Sequence, residues 1–273
     1  MVSSTLRIDP NEASKVLAAL NRHVMIVGAS RGIGEALARR MAGIDGVRPT
    51  LASRSYNKLS GLKMELDNPL VQTTTCDLRD DDSIDDAIAA TVDLNGPPTG
   101  LVITAGTHKP TPLDDLSRRG RERFDEVMRV NLTGPFFLAQ KIADHMTRGG
   151  SIVFFGNSRA HSGMPGRHAH AAAKHGLEAL VRGMARELGP QGIRVNMLLP
   201  DGIETPLGDS LLNERAHRSG QPIERIRKRM KATHALRRFV KADEVVDVMQ
   251  FLLGYESVAI TGQSIDVSCG VIR

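Results

Sequence analysis

Aromatic side chains are scarce in this chain, which has no tryptophan, two tyrosines and seven phenylalanines among 273 residues. This scarcity argues against nucleic-acid binding, because single strands are bound largely by stacking bases on aromatic rings and no reader motif is present. No apolar run is long enough to span a bilayer, so no membrane span is expected. The N-terminus has no basic start followed by an apolar stretch, which favours a cytoplasmic protein.

Cysteines are also scarce, and linker segments are lacking. The two cysteines, Cys76 and Cys269, lack metal-type spacing and are expected to be reduced structural thiols. Nine histidines lie in unlike local settings, so no metal site is expected. No polar linker divides the chain, and we expect one large domain at 23–273 after an N-terminal extension at 1–22. Residues 11–22 of this extension are predicted to form a short amphipathic helix.

The sequence does contain a regular alternation of strand and helix patterns. Strand-like segments occur at 24–27, 49–52, 71–75, 100–104, 151–155, 194–199 and 264–267. Helical patterns occur at 32–42, 55–66, 81–94, 114–147 with a break, 165–188 and 241–253. This order predicts the α/β class, as a single Rossmann-type doubly wound parallel sheet of about seven strands with helices on both faces. A ligand then binds beyond the carboxyl ends of the strands.

A glycine-rich turn joins the first strand to the first helix. Glycines stand at positions 28, 32 and 34, within the segment from His23 to Gly34. Glycine at such a turn lets the backbone approach a pyrophosphate, and the helix N-terminus offers it unpaired N–H groups. The spacing G-x-x-x-G-x-G resembles that of the short-chain dehydrogenase/reductase superfamily.

The resemblance continues in order along the chain. The segment Leu101–Gly106 resembles the family's Asn-Ala-Gly segment, with Thr104 in place of asparagine. Further matching segments are 130–132, 150–155, 192–196, 200–206 and 260–263. The resemblance implies a cofactor site formed by Gly28, Ser30, Arg31, Gly32, Ile33, Gly34, Ser53, Arg54, Asp77, Leu78, Ala105, Gly106, Lys174, Pro200, Gly202, Ile203 and Thr205. Asp77 has the alternative role of a helix cap, for which Asp81 or Asp82 is better placed.

The charges after the second strand favour NADP(H) as the cofactor. An NAD-specific enzyme usually places a carboxylate there to bind the ribose 2′-hydroxyl. This chain has Ser53 at that position, followed by Arg54, and Arg31 lies in the glycine turn. Two guanidiniums complement a 2′-phosphate, and no carboxylate repels it.

The family's catalytic residues are only partly present. The resemblance implies an asparagine at Asn131 and a lysine at Lys174, but it places Asn157 at the serine position and His170 at the tyrosine position. Neither tyrosine of the chain has a lysine four residues on. Asn157 can still donate to a carbonyl oxygen. Ser158 takes the serine role only if the turn shifts by one residue.

His170 is expected to be a neutral imidazole, because Lys174 and an oxidised nicotinamide disfavour the imidazolium. A neutral imidazole polarises a carbonyl better than it supplies a proton. The alternative is that His170 is a bystander. The run 171–174 also resembles that of dienoyl-CoA reductases, in which hydride goes to a conjugated carbon and no phenol is needed.

The segment at about 204–240 is expected to form a basic substrate lid. Its eleven basic or histidine side chains are accompanied by few acids, which favours an anionic small-molecule substrate. The sequence therefore predicts an NADP(H)-dependent ketoreductase, with an enoyl or dienoyl thioester reductase and a non-catalytic NADPH-binding protein as alternatives. Apolar residues on two long helices, including Leu177, Leu180, Val181 and Met184, are expected to support a homodimer or homotetramer.

Overall fold

The sheet of this protein is parallel throughout and has seven strands. The computed structural model describes residues 22–271, so the predicted helix at 11–22 lies outside the described residues, apart from Arg22. The strands are β1 (His23–Val27), β2 (Arg48–Ser53), β3 (Gln72–Thr75), β4 (Gly100–Ile103), β5 (Ser151–Phe155), β6 (Arg194–Pro200) and, after a separate pair described below, β9 (Ser264–Val267). Their order across the sheet is β3-β2-β1-β4-β5-β6-β9, so the predicted doubly wound sheet is confirmed.

Helices cover both faces of this sheet. They are α1 (Gly32–Ala42), α2 (Tyr56–Leu66), α3 (Asp81–Asn95), α4 (Arg118–Met128), α5 (Gly134–Ala143), α6 (His168–Leu188), α7 (Pro206–Ser219), α8 (Ile223–Lys231) and α9 (Ala242–Leu253). One core lies between the sheet and α3, α5 and α6, and the other lies between the sheet and α1, α2 and α9. All residues of β1 are buried because successive side chains enter opposite cores.

The predicted long helix at 114–147 is interrupted by one π-helical turn. Helix α4 begins after Ser117, whose hydroxyl accepts from the Gly120 N–H at 3.0 Å, so residues 114–117 are not helical. The turn occupies Arg129–Thr133. A side chain at Gly134 would collide with the Leu78 backbone, so this glycine permits close packing of α5 against the segment after β3. The turn carries Asn131, which is fully buried.

The expected lid segment forms two helices and a short strand pair. Helices α7 and α8 pack around Leu212, Ile226 and Phe239. The pair consists of β7 (Ile203–Glu204) and β8 (Val240–Lys241), which the sequence analysis missed because two-residue strands show no periodicity. Thr205 caps α7, since its hydroxyl accepts from the Gly208 N–H at 3.2 Å.

The apolar residues of α6 that were expected to support an oligomer do not form an exposed surface, so that prediction about these residues was wrong. Leu177, Val181 and Met184 are buried in the protein's own core because they face the sheet. Leu180 is half-buried. The exposed apolar side chains near these helices include Phe124 of α4 and Phe137 of α5 instead.

Among the described residues, no helix has both the length and the apolar character required to cross a bilayer.

Candidate active site

A cleft of about 400 Å³ lies at the carboxyl ends of β4, β5 and β6, beneath α7 and α8. Its volume is in the range of small-molecule sites. The expected site residues that line it are Gly106, Asn157, His170, Lys174, Pro200, Gly202, Ile203 and Thr205. The remaining expected cofactor residues lie in the segments that follow β1, β2, β3 and β4, apart from Ser53, which is the last residue of β2. The site therefore extends along one edge of the sheet, as the fold requires.

The glycine turn after β1 packs so closely against neighbouring protein atoms that no side chain fits at Gly28 or Gly34. Gly28 has φ +97°, and a Cβ there would lie 2.6 Å from the Ala105 nitrogen. A Cβ at Gly34 would contact the Gly28 carbonyl oxygen and lie 2.6 Å from the Thr104 hydroxyl. Gly32 also has positive φ, at +59°. This close backbone packing fits the pyrophosphate of a dinucleotide at the N-terminus of α1.

The turns after β1 and β2 each carry one arginine, and the turn after β2 has no carboxylate. Arg31 and Arg54 are both exposed. The Ser53 hydroxyl accepts from the Ser55 N–H at 3.1 Å, so it is held within its own turn.

Asp77, after β3, is engaged by a neighbouring arginine. Its carboxylate bonds the Arg79 guanidinium at 2.6 Å, and this hydrogen bond is the main cause that lowers the pKa of Asp77. The cap of α3 is Asp80, which accepts from the Asp82 N–H at 3.1 Å. The expectation that Asp77, Asp81 or Asp82 caps this helix was wrong, because the chain turns one residue earlier than Asp81.

Thr104 stands where the family pattern has asparagine. Its hydroxyl donates to the Val27 carbonyl oxygen at 3.1 Å, and its N–H donates to the same oxygen at 2.9 Å. Threonine thus ties the end of β4 to the end of β1 beside the glycine turn.

Asn131 bonds both backbone groups of one residue in the loop after β4. The Thr107 N–H donates to Asn131 Oδ1 at 2.9 Å, and Asn131 Nδ2 donates to the Thr107 carbonyl oxygen at 2.8 Å. These two bonds fix the orientation of the amide. The second hydrogen on Nδ2 is then available to His170 Nδ1, 3.3 Å away.

His170, on the first turn of α6, is 1% exposed and lines the cleft. Burial, and then the nearby His108 and Lys174, lower the pKa of His170 to about 2, so its ring is neutral. Its Nδ1 lies 3.2 Å from the Thr107 carbonyl oxygen, which already accepts from Asn131. Its Nε2 has no hydrogen-bond partner among the described residues. Nδ1 either accepts from Asn131, with the ring hydrogen on Nε2, or donates to the Thr107 carbonyl oxygen, with Nε2 as an acceptor.

His108 is a cleft residue that the sequence analysis missed. Its ring stacks on that of His170 with centroids 4.1 Å apart and 28° between the planes. Burial, followed by Lys174 and Arg167, lowers the pKa of His108 to about 4. No periodicity or motif marks this position, and its only signal is that it lies two residues after Gly106.

Lys174 lies one turn after His170 and is 6% exposed. Its ammonium donates to the Phe155 carbonyl oxygen at 2.6 Å, at the end of β5. Burial lowers the pKa of Lys174 to about 8. The lysine is therefore poised to release or accept a proton near neutral pH.

The turn after β5 places Asn157, and not Ser158, on the cleft wall. Asn157 Oδ1 is buried without a hydrogen-bond partner among the described residues, whereas Ser158 is buried and has an interaction of its own. A buried amide end without a partner is costly unless a ligand satisfies it.

One further link joins this turn to the lid. The Arg159 Nε donates to the buried carboxylate of Asp201 at 2.6 Å, and His234 Nε2 lies 3.5 Å from the same carboxylate. Asp201 thereby joins the end of β6 to the turn after β5, through Arg159, and lies beside the segment after α8, through His234. Within residues 22–271, no three His, Cys, Asp or Glu side chains form a group suited to a metal ion.

Comparison with known proteins agrees with this arrangement. A family model described as enoyl-(acyl carrier protein) reductase matches residues 28–272. The 3-oxoacyl-(acyl-carrier-protein) reductase MabA of Mycobacterium tuberculosis is 30% identical, over 92% of this chain and 93% of its own. Carbonyl reductase (NADPH) 2 of Sus scrofa is 30% identical, over 91% of this chain and 95% of its own.

Two solved structures superpose closely on most of this chain. A variant of the actinorhodin polyketide ketoreductase with NADPH is 26% identical and superposes with a TM-score of 0.82, over 91% of this chain and 96% of that one. A short-chain dehydrogenase/reductase from Brucella melitensis is 26% identical with a TM-score of 0.83, over 93% of this chain and 97% of that one.

The glycine turn provides a direct test of the cofactor site. Gly34→Ala should weaken NADPH binding by about tenfold or more, because the new methyl group collides with the backbone of the turn. The matched control is Gly61→Ala in α2, where a Cβ meets nothing within 4 Å. The Gly61→Ala control should bind NADPH as tightly as the wild type does, and its free energy of unfolding should rise by up to ~1 kcal/mol. Fluorescence titration with NADPH measures both variants, and equal affinities would contradict the assignment.

Proposed function

This chain is an NAD(P)(H)-dependent oxidoreductase of the short-chain dehydrogenase/reductase superfamily, and we propose that it uses NADPH to reduce the carbonyl group of an anionic small molecule. The observation that carries the proposal is the uncharged His170, whose Nε2 has no partner, in a cleft that also contains Lys174 and Asn157. These groups suit the polarisation of a carbonyl oxygen. The family's ketoacyl and carbonyl reductases support the same reaction class.

The glycine turn, Arg31 and Arg54 would hold NADPH at one end of the site. Lys174 would bind the nicotinamide ribose, and the segment from Pro200 to Thr205 would lie over the nicotinamide. The preference for NADPH rests on the two exposed guanidiniums and on Ser53, which brings no negative charge to the ribose.

Arg54→Ala should reduce the preference for NADPH over NADH by about 1–3 kcal/mol, because one charge-assisted contact to the 2′-phosphate is lost. The affinity for NADH serves as the internal control and should not change. Titration of both cofactors against wild type and variant measures the effect. Equal affinities of the wild type for the two cofactors would remove the basis for the NADP(H) assignment.

In the proposed reaction His170 acts as a polarising donor. Its Nε2–H and the Asn157 amide would donate to the carbonyl oxygen as negative charge develops there. The bound cofactor supplies the hydride. Asn131 would donate to Nδ1 and so favour the tautomer with its hydrogen on Nε2, over the one that donates from Nδ1 to the Thr107 carbonyl oxygen.

The proton that completes the reduction of the carbonyl comes from a group other than His170, which only polarises the oxygen. His170 has no acidic proton to spare near neutral pH, because its pKa lies near 2 and the ring is already neutral. The Lys174 ammonium, with its pKa lowered to about 8, is an effective acid in the same cleft. We therefore assign the proton to Lys174, with replenishment from water.

His170→Ala should lower turnover by a factor on the order of 10²–10⁴ while NADPH affinity remains close to that of the wild type. Lys174→Ala should weaken both binding and turnover, because it removes the ribose contact as well as the proton source. His170→Tyr should keep or raise activity toward simple ketones, since it restores the family's tyrosine and lysine spacing. Steady-state kinetics and cofactor titration separate these effects. A fully active His170→Ala beside an inactive Lys174→Ala would make the histidine a bystander.

Reduction of an enoyl or dienoyl thioester is the second candidate, and the description of the matching family model favours it. In that reaction hydride goes to a conjugated carbon, so a neutral imidazole at position 170 suffices. Deuterated NADPH distinguishes the two reactions, because the label appears on the carbinol carbon in one and on the β- or δ-carbon of the thioester in the other. A non-catalytic NADPH-binding protein would bind the cofactor and show no turnover with either substrate class.

We also propose that the protein is a homodimer or homotetramer. The support comes from the exposed rings of Phe124 and Phe137, on α4 and α5, which flank the π-helical turn that carries Asn131. Light scattering at micromolar concentration should give a multiple of the chain mass, and Phe137→Ser should shift it toward the monomer. A wild-type monomer would contradict this assignment.

A further inference from the structure

The outer half of the cleft contains an excess of guanidinium groups. Five arginines line it, and they come from the turn after β5, from the residue before α6, and from both lid helices: Arg159, Arg167, Arg215, Arg218 and Arg227. Lys174 adds a sixth cation deeper in the cleft. The lining also contains four acids, which are Asp201, Glu204, Asp209 and Glu214.

Three of the five arginines are already neutralised. The pairs are Arg159 with Asp201 at 2.6 Å, Arg167 with Glu214 at 2.8 Å, and Arg227 with Asp209 at 3.3 Å. The fourth acid, Glu204, interacts with Arg238, which lies outside the cleft lining. Each of the four acids in the cleft therefore already interacts with an arginine other than Arg215 or Arg218.

The side chains of Arg215 and Arg218, which are both exposed, have no hydrogen bond or ion pair with another residue in the described part of the chain. They lie three residues apart on α7, so they project from the same side of the helix. Partial burial, and then Arg159, Arg218 and Arg229, lower the pKa of Arg215, while Asp201 only partly offsets them. The position thus has a net positive potential that the protein does not neutralise itself.

The wall beside these two arginines is apolar. It includes Leu207, Leu211 and Leu212 of α7, with Met230 of α8 and Met164 facing the same cleft. An apolar wall next to uncompensated guanidiniums suits a ligand with a hydrophobic body and a charged end.

We propose that Arg215 and Arg218 form an oxyanion subsite, which binds a carboxylate or phosphate of the substrate at the end remote from the carbonyl that is reduced. This inference rests on the proposed function for the identity of that carbonyl. It defines the substrate class as an apolar keto compound with a terminal oxyanion. Guanidinium binds either anion through paired N–H donors, so both belong to the same chemistry.

The subsite can be tested by binding alone. The protein is saturated with NADP⁺, so that the 2′-phosphate site is filled and no reduction takes place. It is then titrated calorimetrically with para-acetylbenzoate, with the methyl ester of this acid, and with para-acetylphenyl phosphate. The variants are Arg215→Gln and Arg218→Gln. The control is Arg225→Gln, an exposed lid arginine outside the cleft lining.

The wild type should bind at least one of the two anions about tenfold more tightly than the ester, as expected for charge-assisted bonds to guanidinium. The tighter anion identifies the chemical class. Arg215→Gln and Arg218→Gln should each remove most of this difference and leave ester binding unchanged, which also shows that the variants fold. Arg225→Gln should retain it. Equal binding of acid and ester by the wild type, or an equal loss in the control, overturns the proposal.

Turnover of the ester with NADPH reports on the proposed reduction separately. If the anions bind preferentially and no ketone is reduced, the proposed function fails and the subsite stands. If ketones are reduced without any preference for an anion, the subsite fails and the proposed function stands.

Discussion

The buried amide of Asn131 is the interaction on which the active site depends. It bonds both the N–H and the carbonyl of Thr107, and so it joins the loop after β4 to the π-helical turn between α4 and α5. An unpaired amide in this fully buried position would be costly, so the two bonds are made together or lost together. Because they fix the amide, only one N–H remains for His170. Nδ1 of His170, almost forty positions away, lies within reach of both this N–H and the Thr107 carbonyl oxygen, so the backbone of one loop governs the hydrogen bonding of the imidazole.

The sequence was sufficient to predict the architecture because the architecture depends on periodic patterns. Strands of a parallel sheet are buried on both faces, and each helix has one apolar stripe, so both leave a signal within a single segment. The glycine turn was predictable for another reason, since only glycine allows the contacts at Gly28 and Gly34.

Features that depend on the packing of distant segments were not predictable. The helix pattern of α6 shows apolar residues at Leu177 and Val181 but does not show how wide the buried stripe is, and both proved to belong to the core. His108 carries no local signal, because its role arises only where its loop meets α6. Likewise, the cap of α3 at Asp80 depends on the residue at which the chain turns, which four neighbouring aspartates leave undetermined.

The positions that depart from the family pattern are of two kinds. Thr104 stands in place of an asparagine and ties β4 to β1 through the Val27 carbonyl oxygen, so this position has a structural contact of its own. Asn157 and His170 instead line the cleft, and each has one buried polar atom without a protein partner. Buried polar atoms are normally satisfied, so an unpaired atom on each side of one cleft marks the place where a ligand completes the bonding. The glycine turn and Lys174 conform to the pattern. The two departures that line the cleft, Asn157 and His170, thus leave a neutral amide oxygen, which can only accept, and a neutral imidazole nitrogen for a ligand to complete.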